Sequence, residues 1–416
     1  MINCRLYIIA ICLVLSSCSN ILTWHLDMGI HKNNTYSTSD NTGTTDEIKK
    51  NYNILTELEW STSTNDGIAG NTAYLKMIKY NNYLYSVDSE GLLTAVSIEN
   101  GDIKWQAATN YDVSSGLSIV DNKLCLGTVN AKLLCFSIES LAMDRYTPFI
   151  DTLKNSTTFS KISADVEIDL ISELASPISS INNLYLLKLD NDDLYLIDPT
   201  SQDIVWKSES QNIPLRTKGA SMPFVYDDSV FVARDNGSVS SYDKTNGTLQ
   251  WFTIISSRSG RNDLESQRDA EMNILIQDNK VYYGHYQGDI SSIDMASGNI
   301  IWSSPFSFIN NIFIHKNSIY GATTDNYLVS LDRASGFLNW KKNFQKSITE
   351  PFIINNIIMT FTTDGILNAY DRDTGDKIYE KDYGFDLHTK TQFITEKNKI
   401  YFQTIDGDTV CIQVIL

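Results

Sequence analysis

A tryptophan recurs along this chain inside one short frame. The segments NGSVSSYDKTNGTLQW, QGDISSIDMASGNIIW, DNYLVSLDRASGFLNW and EGLLTAVSIENGDIKW end at Trp251, Trp302, Trp340 and Trp105. Fourteen places before each Trp stands a turn-forming residue: Gly237, Gly288, Asn326 or Gly91. Four places before it stands Gly247, Gly298, Gly336 or Gly101, and in three of the frames Asp243, Asp294 or Asp332 stands eight places before. Looser copies end at Trp206, with Asp198, and at Tyr379, with Asp371, Gly365 and Gly375. A period of about forty residues marks a repeat architecture.

Each frame follows a short apolar run, such as NLYLLKL from Asn183 or SVFVAR from Ser229. These runs are too short for helices, rich in Val, Ile, Tyr and Phe, and bounded by Asn, Asp and Gly, so they are predicted strands. The Gly after each run permits the positive φ of a tight hairpin. The later Asp can accept hydrogen bonds from the amides of the next turn, which the second Gly completes. One such sheet cannot cover both of its faces, whereas sheets stacked radially bury each other.

The second strands of the units begin near Asn82, Lys123, Asn183, Ser229, Lys280, Ser318, Asn356 and Lys399, which makes eight. The chain therefore reads as an all-β, eight-bladed β-propeller of four-stranded antiparallel blades. The second unit is degenerate, with Ala131, Ser137 and Arg145 where Gly, Asp and Trp would stand, and the stretch from Thr147 to Ser172 carries no readable repeat. The eighth unit stops at Leu416 before a last strand, while NILTELEW, ending at Trp60, is a strand without a unit. The N-terminal strand is expected to close the ring, since an unclosed ring would leave bare strand edges. An open solenoid or a two-sheet sandwich would also use short strands, but neither needs the repeated Trp.

The first eighteen residues, MINCRLYIIAICLVLSSC, hold one Arg, an apolar stretch of signal-peptide length and then small residues. LSSC resembles the lipobox of bacterial lipoproteins, which implies lipidation of Cys18 and a signal peptide over residues 1–17; an ordinary cleaved secretion signal is the alternative. Ser19 after it resembles the outer-membrane sorting pattern. Residues 18–53 are dominated by Ser, Thr, Asn and Asp, a composition suited to a flexible tether. Residues 54–416 are the propeller. The net charge of −17 argues against a nucleic-acid partner. Cys125 and Cys135 lie five residues either side of Asn130 and should face each other across a hairpin, either as a disulfide or as two buried thiols. Nothing catalytic assembles. The five His residues show no metal-ligand spacing, no phosphate-binding Gly loop opens a helix because no helix is predicted, and no cofactor is called for. The Asp–Gly pairs have the period of turns and lack the Glu of a calcium loop.

The D-x-x-[ST]-G-x-x-x-W repeat resembles the pyrroloquinoline-quinone-type propeller repeat of quinoprotein dehydrogenases and of the BamB family of outer-membrane assembly lipoproteins. The lipobox, tether and eight repeats with nothing further are similar to the second group. So are the segment IPLRTKGASMPFVYDDSVFVARDNGSVSSYD from Ile213 and the segment RDAEMNILIQDNKVYYG from Arg268. That resemblance implies a non-catalytic scaffold that binds the barrel insertase BamA and assists folding of outer-membrane proteins. The protein would be held at the outer membrane by lipid alone, facing the periplasm. The partner-binding residues it implies are Ile213, Leu215 and Arg216, with Asp269 and Glu271; nascent outer-membrane strands would be a second partner, docking on a blade edge. The chain departs from the family pattern with Ile213, Pro214 and Glu271. A quinone-dependent dehydrogenase, which carries adjacent cysteines absent from this sequence, and another periplasmic ligand-binding propeller are the alternatives.

Overall fold

The computed structural model describes residues 53–64, 75–143, 149–151, 156–158, 160–210, 221–255, 272–285 and 287–416. Their strands form eight four-stranded antiparallel blades in sequence order, numbered 1 to 8 from Ile78 onward, with Ser160–Lys161 added parallel to the edge of blade 1 and a separate hairpin of Phe149–Asp151 and Ser156–Thr158. Blade 4 shows the pattern: Phe224–Tyr226, Ser229–Arg234, Ser238–Asp243 and Leu249–Ile254. First strands of neighbouring blades touch, which sets them at the axis, and most have room for three residues only. The second and third strands are buried on both faces and form the core, in apolar clusters that each span two or more blades.

The N-terminal strand Leu55–Ser63 is the fourth strand of blade 8, paired antiparallel with Asp408–Ile415 from Leu55↔Ile415 to Ser63↔Asp408. It also grips both neighbours. Thr56 Oγ1 lies 2.8 Å from the Tyr379 hydroxyl of blade 7, and Thr62 Oγ1 donates to Gly101 O of blade 1 at 2.7 Å. Gln106 Nε2 of blade 1 donates to Thr64 O at 2.8 Å. The ring is closed as expected.

The motif residues do what the sequence suggested, and one thing more. Asp243 accepts from the amides of Thr245 and Asn246 at 2.9 and 3.1 Å, and Asp294 and Asp332 hold the same turn in blades 5 and 6. The hydroxyls of Ser297 and Ser335 hold these two carboxyls below their usual range. In most blades a register shift next to the residue facing the Trp re-aims that side chain, as between Ser241 and Tyr242 or Ser292 and Ile293. The indole then leaves its own blade. Trp251 donates Nε1–H to Met295 O at 3.0 Å, and the analogous bonds of Trp206, Trp302 and Trp340 reach Lys244, Arg333 and Arg372. Each ring lies on the motif Gly of the following blade: Trp206 on Gly247, Trp251 on Gly298, Trp302 on Gly336, Trp340 on Gly375 and, across the closure, Trp60 on Gly101. These glycines have φ between 70° and 75°, and a Cβ would stand 2.4–2.6 Å from a ring atom. The second Gly of the frame is thus a turn residue and also the seat for the previous blade's Trp. Trp105, Trp206, Trp302 and Trp340 are buried, whereas Trp60 and Trp251 are half-buried.

Blade 2 corrects two expectations. After its third strand, Lys132–Ser137, the chain enters a short helix, Ile138–Met143, where none was predicted. Ser137, standing where the motif has Asp, accepts from the Ser140 amide at 3.3 Å and acts as an N-cap, with Glu139 favourable in the first turn. The fourth strand is therefore delayed to Val166–Asp169, inside the stretch that carried no repeat, and Val166 rather than Arg145 faces Cys135 where other blades place Trp. Cys125 and Cys135 face each other in register and are joined by a disulfide. Where blade 4 stacks Phe231, Ser241 and Trp251 across its strands, blade 2 has Cys125, Cys135 and Val166.

Candidate functional site

Strand reversal dictates what shares one end of the ring. In every blade the second-to-third turn and the exit of the fourth strand open on the same end, as Ile255 N donating to Gly237 O at 3.0 Å illustrates. The connections between blades leave from that end. In sequence, the implied partner-binding residues fall in two consecutive connections. Ile213, Leu215 and Arg216 lie between blades 3 and 4, and Asp269 and Glu271 between blades 4 and 5. All five, like Cys18, the signal peptide and the tether, lie outside the described residues. Their flanks are described, and they converge. Met222 N, at the exit of the first connection, donates to Asn273 Oδ1, at the exit of the second, at 3.2 Å. Asn273 N in turn donates to Asn311 Oδ1 at 2.8 Å. Further round, Phe393 N donates to Glu350 Oε1 at 3.3 Å, and burial pushes the Glu350 carboxyl up. A polar collar thus ties consecutive blades where their chains enter.

Against Ser210, the last described residue before the first connection, lies a buried charge network that sequence reasoning missed. Lys188 and Asp192 of blade 3 are both 0 % exposed, with Nζ and Oδ1 3.4 Å apart. Lys188 also lies 4.0 Å from Asp235 of blade 4. Arg234 donates to the Asp192 carbonyl, and to the Tyr242 hydroxyl at 2.6 Å. His285 of blade 5 sets Nε2 3.0 Å from Arg234 O. Ser210, the last described residue before the connection, donates its amide to Asp193 Oδ1 at 2.6 Å and its hydroxyl to Asp192 Oδ2 at 3.2 Å. Two cations and two carboxylates therefore tie blades 3 and 4 together, and His285 joins blade 5 to them. Buried charges gain little net stability, because desolvation offsets their attraction, but they penalise any other arrangement. Such a device suits a platform that must hold loops in a fixed place.

The signal for it was present. Lys188 and Arg234 each end an apolar second strand at the position where the core should still be apolar, and each is followed by acidic residues, NDD and DNG. Pattern alone does not say that these ends from different blades meet.

Replacing Arg234 by Leu is expected to cost about 3 kcal/mol in a urea melt, because it strips a buried Asp192 of one partner and the Tyr242 hydroxyl of another. Replacing Lys207 by Leu, which breaks an exposed pair with Glu209, should leave the melt unchanged. Equal effects would show that the buried network carries no special weight.

The profile of the family described as outer membrane protein assembly factor BamB matches residues 34–208 and 161–342. The assembly factor BamB of Yersinia pestis is 23 % identical over 252 residues, covering 61 % of this chain and 62 % of that protein, so the match spans about three-fifths of that relative. The crystal structure of BamB from Moraxella catarrhalis superposes with a TM-score of 0.71 at 18 % identity, covering 86 % of this chain and all of that one. The quinohemoprotein alcohol dehydrogenase of Comamonas testosteroni superposes with a TM-score of 0.64 at 10 % identity, covering 86 % of this chain and 76 % of that one. At such identities both structures speak for the fold alone. Because the family profile spans well over half of its residues, the chain belongs to the family of the outer membrane protein assembly factor BamB.

Proposed function

We propose that this protein is a non-catalytic scaffold in outer-membrane β-barrel assembly, holding a BamA-like insertase on the end of the ring that carries the inter-blade connections. Residues 1–17 are a signal peptide, Cys18 carries the lipid, residues 18–53 form the tether, and the propeller faces the periplasm. Ile213, Leu215 and Arg216 dock the insertase from one connection, with Asp269 and Glu271 from the next. An apolar pair beside an Arg is a common anchor composition at interfaces. The observation that carries this reading is the family match, whose second segment, residues 161–342, contains all five positions. The likeness to a quinohemoprotein dehydrogenase supports the shared fold and no chemistry. Nascent outer-membrane strands are a second, transient partner for the ring's outer strands.

The double variant Arg216→Glu with Leu215→Asp is expected to keep the wild-type melting transition and to lose at least ten-fold in recovery of the insertase from detergent-solubilised membranes. Undiminished recovery would refute this docking face.

A further inference from the structure

Two blade boundaries lack an indole: blade 7 keeps an aromatic ring in Tyr379, whereas blade 2 has none. Between blades 2 and 3 the Trp position is Val166, and the Gly position is Gln202, held at φ 62° with its Nε2 donating to Glu167 O at 3.2 Å. The carbonyl corresponding to those of Lys244, Met295, Arg333 and Arg372 is that of Pro199. A cleft of about 720 Å³ opens there, lined by Val166, Pro199, Gln202 and Tyr185. It is the wedge slot of the other boundaries, left without its wedge.

Tyr185 marks it as more than a packing gap. Its counterparts on the second strands of blades 4, 5 and 6 are Val230, Val281 and Ile319, all smaller and all without a polar atom. Tyr185 is 0 % exposed, packs with Cys125 and Cys135 of blade 2, and takes up part of the missing indole's volume. Its buried hydroxyl has no hydrogen-bond partner among the described residues. Burial, and then the Asp121 charge, push that phenol up, so it stays protonated. A buried donor without an acceptor at the wall of a cleft favours a ligand that supplies one.

The rim has a sign. Asp121, Lys123, Asp165 and Glu167 all belong to the blade 2 wall of the opening. Lys132 already pairs with Glu167 at 2.8 Å, which leaves the remaining rim net negative.

We infer that the cleft between blades 2 and 3 is a peptide-binding site that takes an aromatic side chain flanked by a basic residue, presented on an exposed segment of a partner polypeptide. The aromatic ring occupies the slot that a tryptophan of the preceding blade fills at most boundaries, standing outward of its usual seat because Gln202 has a side chain where Gly247, Gly298, Gly336 and Gly375 have none. The Tyr185 hydroxyl, closed to solvent in the free protein, is uncovered as the ring enters and donates to a peptide carbonyl, and the flanking cation meets Asp121 and Asp165. The volume exceeds a single indole and leaves room for the adjacent residues. This site lies apart from the docking face proposed above and does not depend on it.

The test is calorimetric titration of the full chain in detergent with the tripeptide Lys-Trp-Lys, and with Lys-Ala-Lys as control. Saturable submillimolar binding of the first, at least ten-fold tighter than the second, is expected. Val166→Trp with Gln202→Gly rebuilds the wedge, and should raise the melting temperature and weaken the tripeptide at least ten-fold. Tyr185→Phe, which removes only the unpartnered hydroxyl, should melt like the wild type and bind several-fold more weakly. Asp121→Asn should do the same. The inference is overturned by absence of saturable binding to the wild type, by equal binding of Lys-Ala-Lys, or by Tyr185→Phe and Asp121→Asn both binding like the wild type.

Discussion

Deletion of residues 54–64 should abolish the cooperative melting transition and turn a monodisperse protein into aggregate. The segment supplies the whole fourth strand of blade 8, with paired residues from Leu55↔Ile415 to Ser63↔Asp408. It also supplies the contacts of Thr56 with Tyr379, Thr62 with Gly101 and Thr64 with Gln106. At about 1 kcal/mol net per strand hydrogen bond, before counting the lost seat of Trp60, the deficit is on the order of 5–10 kcal/mol. That is comparable with the entire stability of an ordinary folded domain. The strand Asp408–Ile415, mostly buried when paired, becomes a bare edge able to recruit other chains. Scanning calorimetry and size-exclusion chromatography check this, and a synthetic peptide of residues 54–64 should restore part of the transition. A deletion variant that stays monomeric and melts within a few degrees of the wild type would remove closure from the account of stability.

Trp302→Ala is expected to cost about 3–5 kcal/mol, since the ring is buried and packs tilted against Tyr282 with centroids 6.1 Å apart. The half-buried Trp251 should cost less, because part of its surface already meets water. The sharper experiment is a double-mutant cycle with Gly336. At φ 73°, an alanine there costs about 1 kcal/mol of backbone strain, and its Cβ would stand 2.4 Å from Trp302 Cε3, adding about 1–3 kcal/mol of overpacking. Once Trp302 is truncated only the strain remains, so the two substitutions together should cost about 1–3 kcal/mol less than their sum. Urea melts of the four proteins give the coupling. Strict additivity would mean that the indole does not rest on the next blade's turn.

The architecture was readable because each blade solves the same steric problem with the same residues. A turn at positive φ needs Gly91, Gly237 or Gly365, an amide-rich turn needs Asp243 or Asp294, and an outer strand needs its indole. Even the borrowed strand was visible, since Trp60 ends a frame that lacks its beginning. What stayed hidden departs from the period or pairs across it. Blade 2 hid its outer strand because Ser137 caps a helix and Val166 replaces Trp. The partnership of each Gly with the preceding Trp was hidden because adjacency in sequence suggests the Trp that follows. The network of Lys188, Asp192, Arg234 and Asp235 was hidden because strand ends from different blades meet only after the ring forms. The proposed docking residues came from family likeness alone, and composition could not have singled them out.

The seam between the two ends of the chain has a bearing on biosynthesis. Leu55, among the earliest of the propeller residues to be synthesised, pairs with Ile415, among the last. Contacts of such long sequence separation form late and slowly. Seven sheets can therefore assemble while the polypeptide is still emerging, yet no prematurely terminated product can ever become a sealed disc. Until its final residues arrive, the nascent molecule carries an adhesive flank, a hazard that chaperones could recognise and that a circularly permuted gene, with both halves of the seam made together, would shorten in time.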